Sequence, residues 1–342
     1  MAVRVAINGF GRIGRMVLRA AKQRGLDIDF VAINDVADLE PLATVLRYDS
    51  IHGRYPGAVS FEDDTLVVDG DAIRVFKVGD KRTGDPFGFP WKDLGIDVVI
   101  ESSGVFRRIA ELQRHLDAGA RKVVLTVPCK DPLEATIVLG VNDSILKREH
   151  RIVSNSSCTT NCAAPIARLL EEAFTIRKGF LTTVHAYTND QRLFDYPHKD
   201  MRRARMAALN IVPTSTGAAR ALGLVVPSLQ GKVEGLAFRV PVPSGSVVDL
   251  TVETVKPADP GAIHELMRRA AEGPMQGILG VSTDPIVSAD VIGDPRSAIY
   301  DAPLTQVMDG RMVKVVAWYD NEWAYAMRVA ELILKVHSLG YP

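Results

Sequence analysis

The run Ser-Asn-Ser-Ser-Cys-Thr-Thr-Asn-Cys at 154–162 sets a thiol where a polar turn meets the start of an amphipathic pattern. A thiol at a helix N-terminus ionises more easily, because the dipole and the open N–H groups stabilise the thiolate, so Cys158 is the candidate nucleophile. Cys162 lies one turn deeper and is expected to be a buried structural thiol. A tetrahedral zinc site normally needs four ligands, and no second Cys or His pair stands at a suitable spacing, so no metal is expected. A reactive thiolate wants a base. Most histidines at strand ends are simply packed or solvated, but His185, closing the run TTVHA, is followed by Thr188 and Asp190 and later by the hydroxyl-rich PTSTG at 213–217. Hydroxyls beside glycine, here Thr216 and Gly217, bind phosphate oxygens through side-chain and backbone donors. Arg239 sits between the apolar Ala237, Phe238 and Val240, where a guanidinium needs an anion.

A second chemistry stands at the start of the chain. Gly9-Phe10-Gly11-Arg12-Ile13-Gly14 directly follows the apolar run VRVAIN and opens a helical pattern. Glycine allows the tight turn and the close approach of a pyrophosphate onto helix N–H groups. Asp35 lies 35 − 14 = 21 residues beyond the third glycine, at the end of a second strand-like run. A carboxylate there binds both adenosine ribose hydroxyls and repels a 2′-phosphate, which favours NAD over NADP. Without that strand, helix and acidic residue in register, the glycines would mark only an ordinary turn.

The elements that position these groups alternate. Residues 3–8 and 29–35 are expected to be strands around a helix over about 12–24, and strands follow at 65–70, 72–78, 97–104, 122–127 and 135–141. Residues 79–90, GDKRTGDPFGFP, are expected to be an exposed loop. A helix over about 158–174, kinked near Pro165, leads into the histidine strand. The polar segment after it is a long ordered loop or an interface arm. Strand-like runs at GLAFRVPVP, SVVDLTVETV and 312–320, with helices over about 260–272 and 322–338, complete the chain. The expected fold is α/β: an N-terminal Rossmann dinucleotide-binding domain, 1–157, and an α+β catalytic and oligomerisation domain, 158–321, with a large mixed or antiparallel sheet. The closing segment, 322–342, is expected to return to the first domain.

Composition narrows the partners. Lys+Arg number 41 against 41 Asp+Glu, so the formal charge is zero, whereas nucleic-acid and membrane binders normally carry a basic surplus. Neither partner is expected. No apolar run is long enough for a transmembrane helix or a secretory signal, and three cysteines make no disulfide framework, so a cytoplasmic location is expected. The zero charge is expected to hide a local contrast, with positive potential at one cleft from Arg203, Arg239 and two helix N-termini, and the carboxylates other than Asp35 elsewhere.

INGFGRIGR, SNSSCTTNCAAP, TTVHAYTNDQR, PHKD, RRAR, PTSTGAA, FRVPVP and WYDNEW resemble, in order and nearly in spacing, the phosphorylating glyceraldehyde-3-phosphate dehydrogenase family of bacterial type. The resemblance implies that Cys158 is the nucleophile and His185 its activator and acid/base. It implies that Arg12, Ile13 and Asp35 hold NAD and that Asn321 binds the nicotinamide carboxamide; Thr126 would add a further cofactor contact. Thr188 and Arg239 would hold the substrate phosphate, with Asp190 and Arg203 nearby. Ser157, Thr159, Thr216 and Gly217 would receive inorganic phosphate. Oxidation of glyceraldehyde 3-phosphate would pass through a hemithioacetal and a thioester to 1,3-bisphosphoglycerate. A homotetramer is implied, with the loop at about 187–211 packed across a subunit interface. Departures include Ser156 for the usual Ala, Ala324 for Gly, Thr126 for Ser, and PSGS at 243–246. Erythrose-4-phosphate dehydrogenase resembles the chain too, but departs from the PTSTGAA pattern. A non-catalytic NAD-binding role would leave every reactive group unexplained.

Overall fold

The computed structural model describes residues 2–79 and 88–342, so most of the loop expected at 79–90, with Lys81 and Arg82, lies outside the described residues. The chain divides into two compact units. One comprises 1–137, 144–156 and 326–342; the other comprises 138–143 and 157–325. Val138 and Val141 belong to the second unit because their side chains are buried in its core, beside Cys162 and Leu170.

In the first unit nine strands form one sheet. From one edge its order is Ala135–Thr136, Ile152–Ser154, Lys122–Leu125, Val98–Glu101, Val3–Asn8, Ile28–Asn34, Asp71–Phe76, Thr65–Val68 and Val59–Glu62. Pairing is parallel as far as Asp71–Phe76 and antiparallel beyond it. The central parallel strands are continuous apolar runs, as strands covered on both faces must be. The strand order reverses at Val3–Asn8, whose neighbours Ile28–Asn34 and Val98–Glu101 follow it in opposite directions across the sheet. This switch point is where open α/β sheets take ligands. The glycine turn occupies it, followed by the helix Arg12–Gln23.

In the second unit seven strands run in the order Val212–Ser215, Val233–Val240, Ile176–Ala186, Ser246–Thr254, Met312–Tyr319, Ala298–Met308 and Leu279–Ser282. The sheet is mixed: the second and third strands pair parallel, as do the last two, and the rest are antiparallel. Strict alternation in Ser246–Thr254 and in the second half of Ile176–Ala186 sends Leu181, Thr183 and His185 to the buried face. Residues of the helices Cys158–Phe174, Ala218–Val225 and Pro260–Glu272 complete that core. The opposite face stays open, with Phe180 at 68% and Leu236 at 42% exposure.

One expectation needs correction. The run 135–141 is a strand only over Ala135–Thr136, because the chain then turns at Gly140, φ +77°, and Asn142 Oδ1 accepts from Val138 N at 2.8 Å. The helix Cys158–Phe174 continues through Pro165; proline removes one backbone donor there, and the buried residues around it hold the helix together.

The glycine turn is sterically exacting. Gly9 adopts φ +90°, and a Cβ on it would lie 2.4 Å from the Ser103 backbone. Gly9→Ala is therefore expected to destabilise the protein by about 1–3 kcal/mol through overpacking against backbone. Urea unfolding measures this, and an unchanged midpoint would refute the close approach.

Candidate active site

In the first unit, Asp35 follows the strand Ile28–Asn34 and is tied to the glycine turn: its Oδ2 accepts from Phe10 N at 2.7 Å and its Oδ1 from Ala37 N at 3.0 Å. The acidic group thus stands beside the fingerprint. The helix Arg12–Gln23 begins without a side-chain cap, and its first N–H groups have no intrahelical partners. Space over Gly11 is open to 4 Å, whereas a Cβ on Gly14 would lie 2.4 Å from Gly9 O. Open backbone over one glycine and close packing behind another make a cradle suited to a dinucleotide phosphate. Arg12 directs its guanidinium to the buried Asp49, at 2.8 and 3.2 Å. Although burial raises the Asp49 carboxyl, the Arg12 bonds and backbone donors outweigh it and hold the group down to about 2. Ile13 is half-buried at the helix start. Thr126 is buried, with its hydroxyl donating to Glu101 O at 3.0 Å.

In the second unit the nucleophile helix starts at Cys158 with Ser157 as its N-cap, whose Oγ accepts from Thr160 N at 3.1 Å. Cys158 Sγ lies 3.4 Å from His185 Nε2. His185 Nδ1 lies 2.7 Å from Ala186 O, which can only accept, and close to an Arg239 nitrogen, which can only donate; a ring proton on Nδ1 serves the first contact and leaves Nε2 a lone pair for the thiol, while a proton on Nε2 serves the second. Arg239 faces His185 across parallel strands; its Nη1 donates to Ala186 O at 3.0 Å and lies 2.8 Å from Nδ1. Burial, and then the Arg239 charge, push the imidazole down to about 3. His185 is therefore neutral over the physiological range. Burial pushes the Cys158 thiol up, and Arg239 and local hydrogen bonds pull against it without prevailing. Without ligand the pair is a thiol beside a neutral imidazole, where the helix N-terminus alone suggested a thiolate. Cys162 is fully buried, its thiol 3.8 Å from Ala317 O.

Other predicted residues gather around this pair or stand apart from it. Arg203 hydrogen-bonds Asp190 and donates through Nε to Thr214 Oγ1 at 2.9 Å, with Asp200 at 3.5 Å. This corrects the expected charge pattern: two carboxylates sit on Arg203, so the open cation of the site is Arg239 rather than both. Asp190 thereby orients a cation. Thr188 N donates to Gln191 Oε1 at 3.3 Å, closing a turn just beyond the histidine strand. Thr159 is buried, its hydroxyl 2.9 Å from Tyr319 OH. Thr216 and Gly217 begin the helix Ala218–Val225, where Thr216 Oγ1 accepts from Ala218 N at 3.2 Å. Asn321 is buried, and its Oδ1 accepts from Ser246 Oγ at 2.8 Å.

Inspection of the sequence passed over Tyr319, Thr183 and Ser246. Tyr319 OH joins Thr159 and Thr183 at 2.9 and 3.0 Å, and its ring meets His185 edge-on at 5.9 Å. Strand alternation placed Thr183 on the face of His185, but the partner across the sheet is set by register.

Residues 3–109 match the glyceraldehyde 3-phosphate dehydrogenase NAD binding domain, and residues 157–321 match the C-terminal domain of the same family. The chain is 53% identical over 342 residues to a glyceraldehyde-3-phosphate dehydrogenase of Mycolicibacterium smegmatis, covering 98% of this chain and 99% of that one. It is 49% identical over 337 residues to glyceraldehyde-3-phosphate dehydrogenase 2 of Streptomyces avermitilis, with the same coverage. A glyceraldehyde-3-phosphate dehydrogenase of Mycobacterium tuberculosis is 52% identical over 341 residues, again covering 98% and 99%.

The raised thiol of Cys158 makes a prediction about pH. Only the thiolate is alkylated, so in the ligand-free protein iodoacetamide modification of Cys158 should climb through alkaline pH, beyond the ordinary thiol value. Mass spectrometry of the alkylated peptide follows it; a plateau already reached below pH 7 would show that a thiolate–imidazolium pair exists in the free protein.

Proposed function

The chain belongs to the glyceraldehyde-3-phosphate dehydrogenase family, whose activity is NAD-dependent oxidation, and we propose that Cys158 and His185 carry the phosphorylating oxidation of D-glyceraldehyde 3-phosphate to 1,3-bisphosphoglycerate. The observation that supports this assignment is the Sγ–Nε2 approach of 3.4 Å, and the tautomer protonated on Nδ1 is the one that carries it. Nε2 takes the thiol proton as Sγ attacks the aldehyde carbon. The oxyanion so formed is stabilised by the Cys158 N–H and the protonated ring, and takes that proton back as a hemithioacetal hydroxyl. His185 accepts it again as the carbon–hydrogen bond breaks, leaving a thioester on Cys158. Bound NAD supplies the hydride acceptor. Inorganic phosphate then displaces the Cys158 sulfur, giving the acyl phosphate and restoring the thiol once His185 returns its proton.

Arg239 acts on both members of the pair, favouring a Cys158 thiolate while opposing a protonated His185. Its charge disfavours a second proton on His185, and a substrate phosphate held there, with Thr188, offsets that charge while it binds. Inorganic phosphate is assigned to Ser157, Thr159, Thr216 and Gly217; Ser157 and Thr159 are already engaged as helix cap and Tyr319 partner, so they would have to share their hydroxyls. Gly9, Gly11, Arg12, Ile13, Asp35 and Thr126 are assigned to NAD, with Asn321 on the carboxamide.

A homotetramer in the cytoplasm is part of the same proposal. The open sheet face and six large apolar side chains in one loop, Leu193, Phe194, Tyr196, Met201, Leu209 and Ile211, each at least 67% exposed, are the kind of patch that subunits cover. Among the described residues no helix is long and apolar enough to cross a membrane.

NADH formation from glyceraldehyde 3-phosphate should depend on phosphate or arsenate. Turnover indifferent to either anion would mean a hydrolytic enzyme, and a preference for erythrose 4-phosphate would reassign the substrate. Asp35→Gly should shift the kcat/KM ratio of NAD to NADP towards NADP at least tenfold, about 1.4 kcal/mol; an unchanged ratio would remove Asp35 from cofactor selection.

A further inference from the structure

Ser246 begins the strand Ser246–Thr254 and is buried to 1% exposure. Its strand lies between the histidine strand and Met312–Tyr319, and it pairs with Tyr319. Its hydroxyl is used twice. Ala186 N donates to Oγ at 3.1 Å, and Oγ stands 2.8 Å from Asn321 Oδ1. The backbone amide can only donate, so Oγ accepts from it, and with Oδ1 facing it Oγ donates its own proton to Asn321. In this arrangement Oδ1 faces Ser246 and the NH2 faces away. Ala186 is held through both of its backbone groups, its N–H by Ser246 and its carbonyl by Arg239 Nη1 at 3.0 Å, with His185 Nδ1 at 2.7 Å. One hydroxyl therefore touches, at one remove, both the group that sets the base and the amide assigned to the cofactor.

We propose that Ser246 is a positioning residue that couples the two: through the Ala186 backbone it holds His185 with Nε2 on Cys158, and through Asn321 it presents an NH2 donor to the carbonyl oxygen of the nicotinamide carboxamide. The second half rests on the assignment of Asn321 given above. Losing the hydroxyl leaves a buried N–H and a buried amide oxygen without their partner, and the amide is then free to turn over.

Two ligand-specific readouts test this on the full chain, with thermal melting as control. Ser246→Ala should weaken equilibrium NAD binding about tenfold, followed by quenching of tryptophan fluorescence, and should shift the pH profile of Cys158 alkylation in the NAD-free protein. Asn321→Ala should weaken NAD binding alike but leave the alkylation profile in place, and adding Ser246→Ala to it should weaken NAD binding no further. A merely structural serine would lower the melting temperature without moving the alkylation profile, which overturns the proposal. So does an equal loss of NAD affinity from Ser246→Ala with and without Asn321. If Asn321→Ala itself leaves NAD binding intact, the carboxamide assignment has failed and takes the cofactor half with it, while the alkylation profile still decides the His185 half. Should Ser246→Ala fail to fold, Ser246→Cys, a weaker donor of similar shape, should show the same two shifts at smaller size, and parental values in both would refute the coupling.

Discussion

A side chain on a strand faces one of two ways, and the catalytic row of the second unit hangs on that constraint. Arg239 lies opposite His185, Val184 opposite Val247, and Ser246 opposite Tyr319. Four strands thus bring a guanidinium, an imidazole, a hydroxyl and a phenol into one line. Slipping any strand by one residue would send its member to the open face of the sheet. The helix Cys158–Phe174 is tied to the same line, since Thr159 bonds Tyr319 and Cys158 meets His185.

Burial then decides the protonation states. The helix N-terminus and Arg239 both favour a thiolate, yet a dry site penalises every isolated charge, and the free protein keeps thiol and imidazole neutral. Arg239 is the arginine left open to an anion here, because Arg203 is answered by Asp190 and Asp200. A chain of zero net charge reaches this state by pairing a carboxylate cluster with one arginine close to the site.

The first unit solves a different problem, the close approach of backbone to phosphate. Behind the glycine turn, Glu101 accepts from Asn8 Nδ2 at 2.5 Å, from His115 Nε2 at 3.0 Å and from Ser103 N at 2.8 Å. Trp91 Nε1 donates to His115 Nδ1 at 3.1 Å. This buried network holds the Ser102–Ser103 backbone against Gly9, where no Cβ fits. Satisfied buried polar groups of this kind give a turn one conformation.

Much of this was written in the linear chain. The glycine spacing, the acidic residue after the second strand, the thiol at a helix start and the histidine closing a β-branched run are local patterns, and local patterns follow from backbone geometry and residue type. The helices over Cys158–Phe174 and Pro260–Glu272 and the strand Met312–Tyr319 were likewise legible from apolar periodicity. The short helix Leu39–Arg47 and the strand Ala298–Met308 were not, because their apolar positions make sense only against partners far along the chain. Nor could the sequence show that Arg203 is neutralised, that Ser246 bridges Ala186 and Asn321, or that Cys158 is a thiol at rest. Those depend on which residues meet across the sheet and on how much water is left between them, and neither register nor dielectric exists until the chain has folded.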